Sequence, residues 1–369
     1  MNQLQRPGGT QRISTDLIAE LTKYCDITAI VLEGKDIQYP LPESVTLHKL
    51  SDIDEESSRV KKALNTFQKI RRVSQIIKEL EPDTVLSFLP RSNIANILGR
   101  RFSKVNYRCV IVEHNFNSIN YEKSLTGRLF LAQLKRLYPK ADIVIPNAYK
   151  LGEELVDNFN VKKDRVQMIA NPYRIKDIEE RSKEPIEDER FNGDDFIYIN
   201  VARYIEQKNL PLLLEAFYDV RQQTPAKLVL MGRGEEGQRM LEAKTKELGL
   251  EDDVIFMGWQ KNPFKFMRRA NAFILSSIFE GAPNVLYESM IVETPIVSTD
   301  CPSGPMEILE GGHCGVLVPM RNRKALADAM LDIKNNPAKA KEIADKARVA
   351  VEKYQLENIG EDYRRVLFD

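Results

Sequence analysis

Histidine, cysteine and tryptophan are scarce in this chain, and each scarcity removes a class of chemistry. The 369 residues hold three histidines, four cysteines and one tryptophan. Cys25, Cys109, Cys301 and Cys314 lie far apart and form no CxxC pair. That fits a reduced cytosolic protein better than a disulfide framework. His313 and Cys314 are adjacent, but Cys301 is the only other ligand-type sulfur near them, so the ligand set that zinc needs is not assembled. Excess charge is missing too: Lys+Arg and Asp+Glu are both 54. A balanced chain calls for no polyanionic partner such as nucleic acid, and any electrostatic specialisation must be local. Long apolar runs are also lacking. No stretch approaches the ~20 residues of a spanning helix, and MNQLQRPGGT has no basic-then-apolar signal pattern. The expected setting is the cytoplasm, with any membrane met from its surface.

What is present is an ordinary globular mix, 43% apolar and 29% charged, long enough for two domains or one large α/β domain. Short β-branched runs at 26–33, 84–89, 108–113, 142–146 and 166–170 alternate with helical patterns. The alternation resumes at 196–202, 227–232, 253–257, 272–276 and 295–298. Near-continuous apolar strands separated by helices predict parallel sheets covered on both faces. The expected fold is therefore α/β and doubly wound, occurring twice. Between the copies, 171–195 is polar and charged with Pro172, Pro185 and Gly193, and reads as a linker. A doubly wound domain normally opens with an apolar strand, yet only MNQLQR precedes Gly8-Gly9. Either that first strand is truncated, leaving a compromised domain, or the chain lacks its true start.

Several motifs carry chemistry at the ends of these strands. Gly8-Gly9 precedes an amphipathic helix with Ile13, Leu17, Ile18 and Leu21 on one face, and a helix start of this kind attracts phosphate. It is equally an ordinary glycine turn. Asp52-x-Asp54 has the form of a metal–diphosphate ligand pair but sits in a loop acidic enough to be simply solvated. Gly232-x-Gly234-x-x-Gly237 matches the dinucleotide fingerprint, but the next strand ends in Gly258-Trp259 rather than the acidic residue a nicotinamide cofactor requires. It reads as a glycine turn with nucleotide contacts nearby. Arg203 and Lys208 follow the strand 196–202, where α/β sheets bind ligands, and together they suit a diphosphate.

FEGAPNVLYES is the most informative stretch. Glu280 ends a strand and Glu288 lies one helical turn inside the next helix, with Pro283 suited to the helix start. The helix dipole explains an acid near such a start; it explains Glu288 tolerably and Glu280 poorly. Carboxylates accept paired hydrogen bonds from a sugar diol, and the amides of Asn284, Val285 and Leu286 suit phosphate.

FEGAPNVLYES resembles the E-x7-E motif of the large retaining glycosyltransferase family of GT-B fold, family 4. PGGTQR, ARYIEQKN, LVLMGRGEE, FMGWQKNPFKFMRRANAFILSS and PIVSTDCPSGPMEILEGGHCGVLVP follow in that family's order, so the likeness spans the whole chain. It implies an N-terminal acceptor-binding domain (1–172), a C-terminal domain binding a nucleotide-sugar donor (173–350), and a last segment (351–369) returning to the first domain. It also implies roles. Arg203 and Lys208 would hold the diphosphate, Glu280 the donor sugar and Glu288 the ribose. Asn284, Val285 and Leu286 would meet phosphate or sugar oxygens. Gly8 and Gly9 would close over the diphosphate, Trp259 would lie near the base, and His114 would stand between donor and acceptor. The implied reaction is metal-independent transfer of a hexose or N-acetylhexosamine from a UDP-sugar, with retention and no cofactor.

Between Arg91 and Lys140 the first half carries ten cations against Glu113 and Glu122, and SLTGRLFLAQLKRLYPK mixes leucines with them. Such a helix either packs in a core with a solvated basic face or lies on an anionic bilayer. Relatives with TDCPSGPMEIL-like phrases often extend lipid-linked oligosaccharides, so a polyprenyl-diphosphate-linked glycan is the expected acceptor. Two rival readings stay open: a nucleotide-sugar 2-epimerase on the same fold, and a non-catalytic partner protein that retains it.

Overall fold

A computed structural model describes residues 9–32, 39–50, 59–122 and 124–369. Gly8, Asp52, Asp54 and Lys123 lie outside the described residues. The chain forms two compact units, Met1–Tyr173 with Tyr354–Asp369, and Arg174–Lys353.

In the first unit β1 (Thr28–Val31) pairs in parallel with β2 (Thr46–Lys49). A second parallel sheet runs in the order β3 (Thr84–Phe88), β4 (Arg108–Glu113), β5 (Ile143–Pro146). The central strand reads RCVIVE, and Cys109, Val110, Ile111 and Val112 are all inaccessible to solvent, as a strand covered on both faces must be. The helix Gly9–Leu21 serves both sheets. Leu17 and Leu21 join Phe88, Val110 and Val112, while Ile18 joins Ala29 and Val45. The last helix, Leu356–Phe368, adds Ile359, Tyr363 and Leu367 to the same core at i, i+4 and i+8. Backbone bonds from Tyr173 N to Tyr354 O (2.9 Å) and from Leu356 N to Tyr173 O (2.9 Å) tie that returning segment down.

The second unit holds one six-stranded parallel sheet. Its strands are β6 (Ile197–Arg203), β7 (Lys227–Arg233), β8 (Val254–Gly258), β9 (Ala272–Leu275), β10 (Ile296–Thr299) and β11 (Val316–Val318), in spatial order β11-β10-β9-β6-β7-β8. The chain builds outward from β6 to β8, then restarts on the other side with β9. The order therefore reverses between β6 and β9, and the carboxyl ends of those two strands flank the position where open α/β sheets bind ligands.

Two expectations need correction. The run 166–170 is not a strand: Val166 forms a single bridge to Val144, and Pro172 follows shortly after. Two short backbone bonds, Gln167 N to Val144 O and Ile169 N to Pro146 O, guide the segment past β5 without extending the sheet. The supposed linker 171–195 contains the helix Ile175–Ser182, with Ile175, Ile178 and Ser182 buried along one face. β2 and β11 escaped the sequence reading because four and three residues are too few to show a period.

The GxGxxG stretch has a packing explanation. A Cβ on Gly232 would lie 1.7 Å from Ala202 O, and one on Gly237 2.0 Å from Tyr204 O. Gly234 sits at φ 135°, which side-chain-bearing residues avoid. These glycines let the chain after β6 lie directly on the β7–helix turn, where Tyr204 is buried and its hydroxyl donates to Leu230 O at 2.9 Å. Gly237→Ala should therefore cost about 2 kcal/mol or more of stability through a backbone clash. A thermal melt within a degree of the parent protein would refute this account.

Candidate functional site

In the second unit, the loops leaving β6 and β9 are joined at the sheet's reversal. Lys208 Nζ lies 2.5 Å from Glu280 Oε1, with both side chains largely withdrawn from solvent. Ser277 Oγ also donates to Glu280 Oε1, at 2.5 Å. Gln207 Nε2 donates to Phe279 O (2.9 Å) and reaches Glu280 Oε2 (3.4 Å), and Ser276 Oγ donates to Lys208 O (2.8 Å). Backbone N–H of Ile278 to Gln207 O (2.9 Å) completes the seam. A buried charge is costly unless paired and hydrogen-bonded, and here the ion pair and its neighbours meet that condition. The structure thus brings together Lys208 and Glu280, which the sequence placed on different parts of a ligand. Gln207 and Ser277 were not singled out; their polarity beside a strand end was the available signal. Burial, then the charge of Glu280, pushes the Cys301 thiol up to about 12, so it stays protonated.

The other expected residues are placed as follows in their own units. Arg203 ends β6 and is exposed. Glu288 is buried in the helix Asn284–Ile291. Trp259 follows Gly258, whose φ is 65°, at the end of the edge strand β8 and is 49% exposed. β8 lies two strands from β6, roughly 10 Å at the ordinary strand spacing. Leu286 needs correction as an amide donor: its N–H bonds Pro283 O at 3.0 Å and its side chain is buried. Asn284 and Val285 open that helix ahead of it. Gly9 is the first residue of its helix, with Gly8 outside the described residues. Among the described residues, no three or more His, Cys, Asp or Glu side chains converge as a metal site.

The first unit has its own polar cluster, again at strand carboxyl ends. Glu113 pairs in register with Pro146, so His114 and Asn147 are the next residues beyond β4 and β5, and they meet. Asn147 Nδ2 lies 3.0 Å from His114 Nδ1 and 3.3 Å from Asn171 Oδ1. Glu113, fully buried, accepts from the backbone N–H of His114 (2.9 Å) and Asn115 (3.1 Å) and from Asn117 Nδ2 (2.7 Å) and the Tyr138 hydroxyl (2.6 Å). Glu154 Oε1 receives the N–H of Ser118 (3.0 Å) and its hydroxyl. Two buried carboxylates therefore hold the turn that carries His114. Sequence reasoning found the histidine and missed its scaffold, because Glu113 and Glu154 read as ordinary acids until burial is known.

Burial raises the Glu113 carboxyl to about 7, its four donors opposing the rise, and burial lowers the His114 imidazole to about 4. The signs are opposite. Glu113 holds its proton in the folded state above the ordinary 4.5, so its contribution to stability falls as pH rises from 4.5 to about 7. His114 stays neutral when folded, so its contribution is complete above 6.5 and is lost as pH falls towards 4. Across their shared window the two cancel. Relative to the parent, His114→Asn should shift the slope of stability against pH downward and Glu113→Gln should shift it upward, each by up to about 1.4 kcal/mol per pH unit. Denaturant titrations of all three proteins at about pH 5 and 6.5 check this, and slope changes of one sign in both variants would overturn it.

With this geometry in place, the relatives are informative. Residues 7–176 match the family described as Glycosyltransferase Family 4, and residues 181–350 match Glycosyl transferases group 1. Over 363 residues, 98% of this chain and 96% of the relative, the sequence is 30% identical to a Campylobacter jejuni protein. That protein is the N-acetylgalactosamine-N,N'-diacetylbacillosaminyl-diphospho-undecaprenol 4-alpha-N-acetylgalactosaminyltransferase. It is also 32% identical over 246 residues to an uncharacterized glycosyltransferase of Methanocaldococcus jannaschii, covering 64% of this chain and 60% of that protein. The backbone is similar to that of Anabaena HepE in complex with UDP and glucose, with a TM-score of 0.78 at 19% identity, covering 99% of this chain and 97% of that one. At that identity the structural likeness speaks for the GT-B fold alone, whereas the near-full-length match to the Campylobacter protein speaks for kinship. The chain belongs to the group 1, family 4 glycosyltransferases, and is a glycosyltransferase of GT-B fold.

Proposed function

We propose that this enzyme moves a hexose or N-acetylhexosamine from a UDP-sugar to a polyprenyl-diphosphate-linked glycan, with retention at the anomeric carbon. The observation that carries the donor half is the seam at the reversal of the second sheet, where Lys208 and Glu280 sit with Arg203 exposed close by in sequence. The acceptor half is supported by the Campylobacter relative, whose name gives a diphospho-undecaprenol-linked glycan. On this reading residues 173–350 take the donor, residues 1–172 take the acceptor, and the segment 351–369 belongs with the latter.

Arg203 and Lys208 would neutralise the diphosphate. An ammonium has three donors, so Lys208 can keep Glu280 and still reach a phosphate oxygen. Glu280 would accept from hydroxyls of the donor sugar, Glu288 from the ribose, and Trp259 would offer its exposed ring to the base. Gly8 and Gly9 would line the diphosphate, and the helix start at Asn284 and Val285 would face phosphate or sugar oxygens. In the reaction the anomeric carbon–phosphate oxygen bond breaks while the acceptor hydroxyl attacks from the same face, and its proton passes to the departing diphosphate. The two cations stabilise charge on that leaving group without a metal, a form of electrostatic preorganisation.

This reading assigns different tasks to the two glutamates. Glu280→Ala should lower turnover at least tenfold while UDP affinity holds or rises, because Lys208 is released to the phosphates. Glu288→Ala should weaken UDP binding about tenfold. Calorimetry with UDP, and product mass spectrometry with UDP-N-acetylhexosamines and an undecaprenyl-diphosphate-linked acceptor, read both quantities. Equal losses of UDP affinity would sink the division. Epimerised donor formed without acceptor would favour the 2-epimerase instead.

A membrane-bound acceptor also suits the helix Leu125–Leu137. Leu125 is 76% exposed and Leu129 66% exposed. With Arg128, Ala132 and Arg136 they form one solvent-facing stripe, while Gly127, Leu134 and Leu137 are buried. Apolar residues interleaved with cations bind anionic headgroups from the surface. No described helix is long and apolar enough to cross a membrane. The doubly substituted L125E/L129E protein should lose co-sedimentation with phosphatidylglycerol vesicles by fivefold or more, and retain UDP binding. Unchanged sedimentation would remove the membrane from this reading.

A further inference from the structure

The reading of His114 as a substrate-facing group leaves open what it presents to the substrate, and the first unit's polar cluster answers that. A neutral imidazole has one donor and one acceptor nitrogen, and the partner of one fixes the other. The partner of Nδ1 is the amide nitrogen of Asn147 at 3.0 Å. The same NH2 group also faces Asn171 Oδ1 at 3.3 Å, and an amide nitrogen between two acceptors is a consistent assignment, since it carries two protons. Nδ1 is then the acceptor, and the ring proton sits on Nε2. The Phe88 ring stacks near the imidazole, with centroids 6.1 Å apart and planes at 24°, which limits its rotation. Among the described residues, His114 Nε2 and Asn147 Oδ1 are both buried without a partner. Leaving such groups unsatisfied costs about 1–3 kcal/mol each, and exceptions of this kind in a folded protein call for an explanation.

We propose that Asn147 is a positioning residue that fixes His114 as the Nε2–H tautomer, so that the imidazole donates a hydrogen bond to an oxygen of the glycosyl substrate and does not serve as a base. Asn171 orients Asn147 in turn, and Glu113 holds the backbone from which the ring projects. This rests on the glycosyl-transfer reading and adds to it the direction of the hydrogen bond. The low basicity of the buried ring fits the same role, since a donor that stays neutral adds no charge to the site. Asn147 Oδ1 remains as an acceptor for a substrate hydroxyl.

The direct test is nitrogen-15 NMR of histidine-labelled protein, which contains three histidines. His114 is assigned by loss of its signals in His114→Gln. The expected pattern for His114 is a protonated Nε2 and an unprotonated Nδ1 from about pH 5 to 8. A proton on Nδ1 in the parent protein would overturn the proposal outright. Asn147→Asp places a carboxylate against Nδ1 and should draw the proton there, leaving Nε2 as an acceptor in the neutral ring. UDP release from UDP-N-acetylgalactosamine by that variant should fall at least tenfold at about pH 8. It should recover in part at about pH 6, where the imidazolium again carries an Nε2 proton. A parent-like pH profile in the variant would overturn the positioning role. His114→Gln, whose amide can donate, should keep more activity than His114→Ala. If His114→Ala turns over like the parent, the substrate-facing reading of His114 falls, and this proposal with it, while the NMR pattern still reports the tautomer.

Discussion

At the reversal of the second unit's sheet, the loops after β6 and β9 are organised around one buried contact, the 2.5 Å pair between Lys208 and Glu280. Parallel sheets gather strand carboxyl ends along one edge, and at the reversal of strand order the two loops diverge, which leaves a crevice. In this chain the ion pair joins the two loops at that reversal. Its cost is the desolvation of two charges, and the compensation is local: Ser277 and Gln207 add donors to Glu280, and backbone bonds knit Gln207 to Ile278 and Phe279. The pair cannot separate without stranding a carboxylate among buried neighbours, a penalty of about 3–5 kcal/mol. The loops after β6 and β9 are therefore held as one body, with one cation and one anion fixed between them.

The first unit solves the same problem differently. Glu113 also ends a parallel strand and is also buried, yet four hydrogen-bond donors, not a cation, face its carboxylate. Neutral donors soften the desolvation penalty without cancelling it, and the carboxyl is raised to about 7. The contrast follows from what each carboxylate must do next. Glu280 holds the loops after β6 and β9 together through Lys208. Glu113 spends its oxygens on the turn 114–117, so that His114 has a fixed origin.

The alternation of apolar runs and helical patterns was enough to read the architecture, because strands such as RCVIVE and KLVLMG are buried on both faces and leave no ambiguity of period. β2 and β11 were illegible for the opposite reason, being short, and the helix Ile175–Ser182 was hidden because only Ile175 and Ile178 are apolar among charged neighbours. In their separate units, Glu280, Lys208 and His114 were legible as polar residues beyond apolar strands. Their partners were not. Gln207, Ser277, Asn147 and Glu113 acquire meaning only from register, and register is a property of strands far apart in sequence. The pairing of Glu113 with Pro146 brings residues 114 and 147 together across a separation no local pattern can span. The glycines of the GxGxxG stretch, read from sequence as a turn, have a local steric cause: the carbonyls of Ala202 and Tyr204 occupy the space a Cβ would need.

These observations bear on how one fold serves many transfer reactions. Similarity to HepE survives at 19% identity over nearly the whole chain, so the backbone tolerates replacement of most side chains. Strand interiors need only be apolar and of the right volume, a loose requirement. The residues after the strands face a stricter one, since each buried polar atom there must find a partner in the protein or in a ligand. His114 Nε2, Asn147 Oδ1 and Ser303 Oγ have none among the described residues. Each is a hydrogen-bonding demand left open at the end of a strand or in the loop beyond it. On the proposed reading, a substrate hydroxyl that meets the demand at His114 is selected over one that does not, because a substrate lacking it leaves a buried group unpaired, a stronger discrimination than shape alone provides.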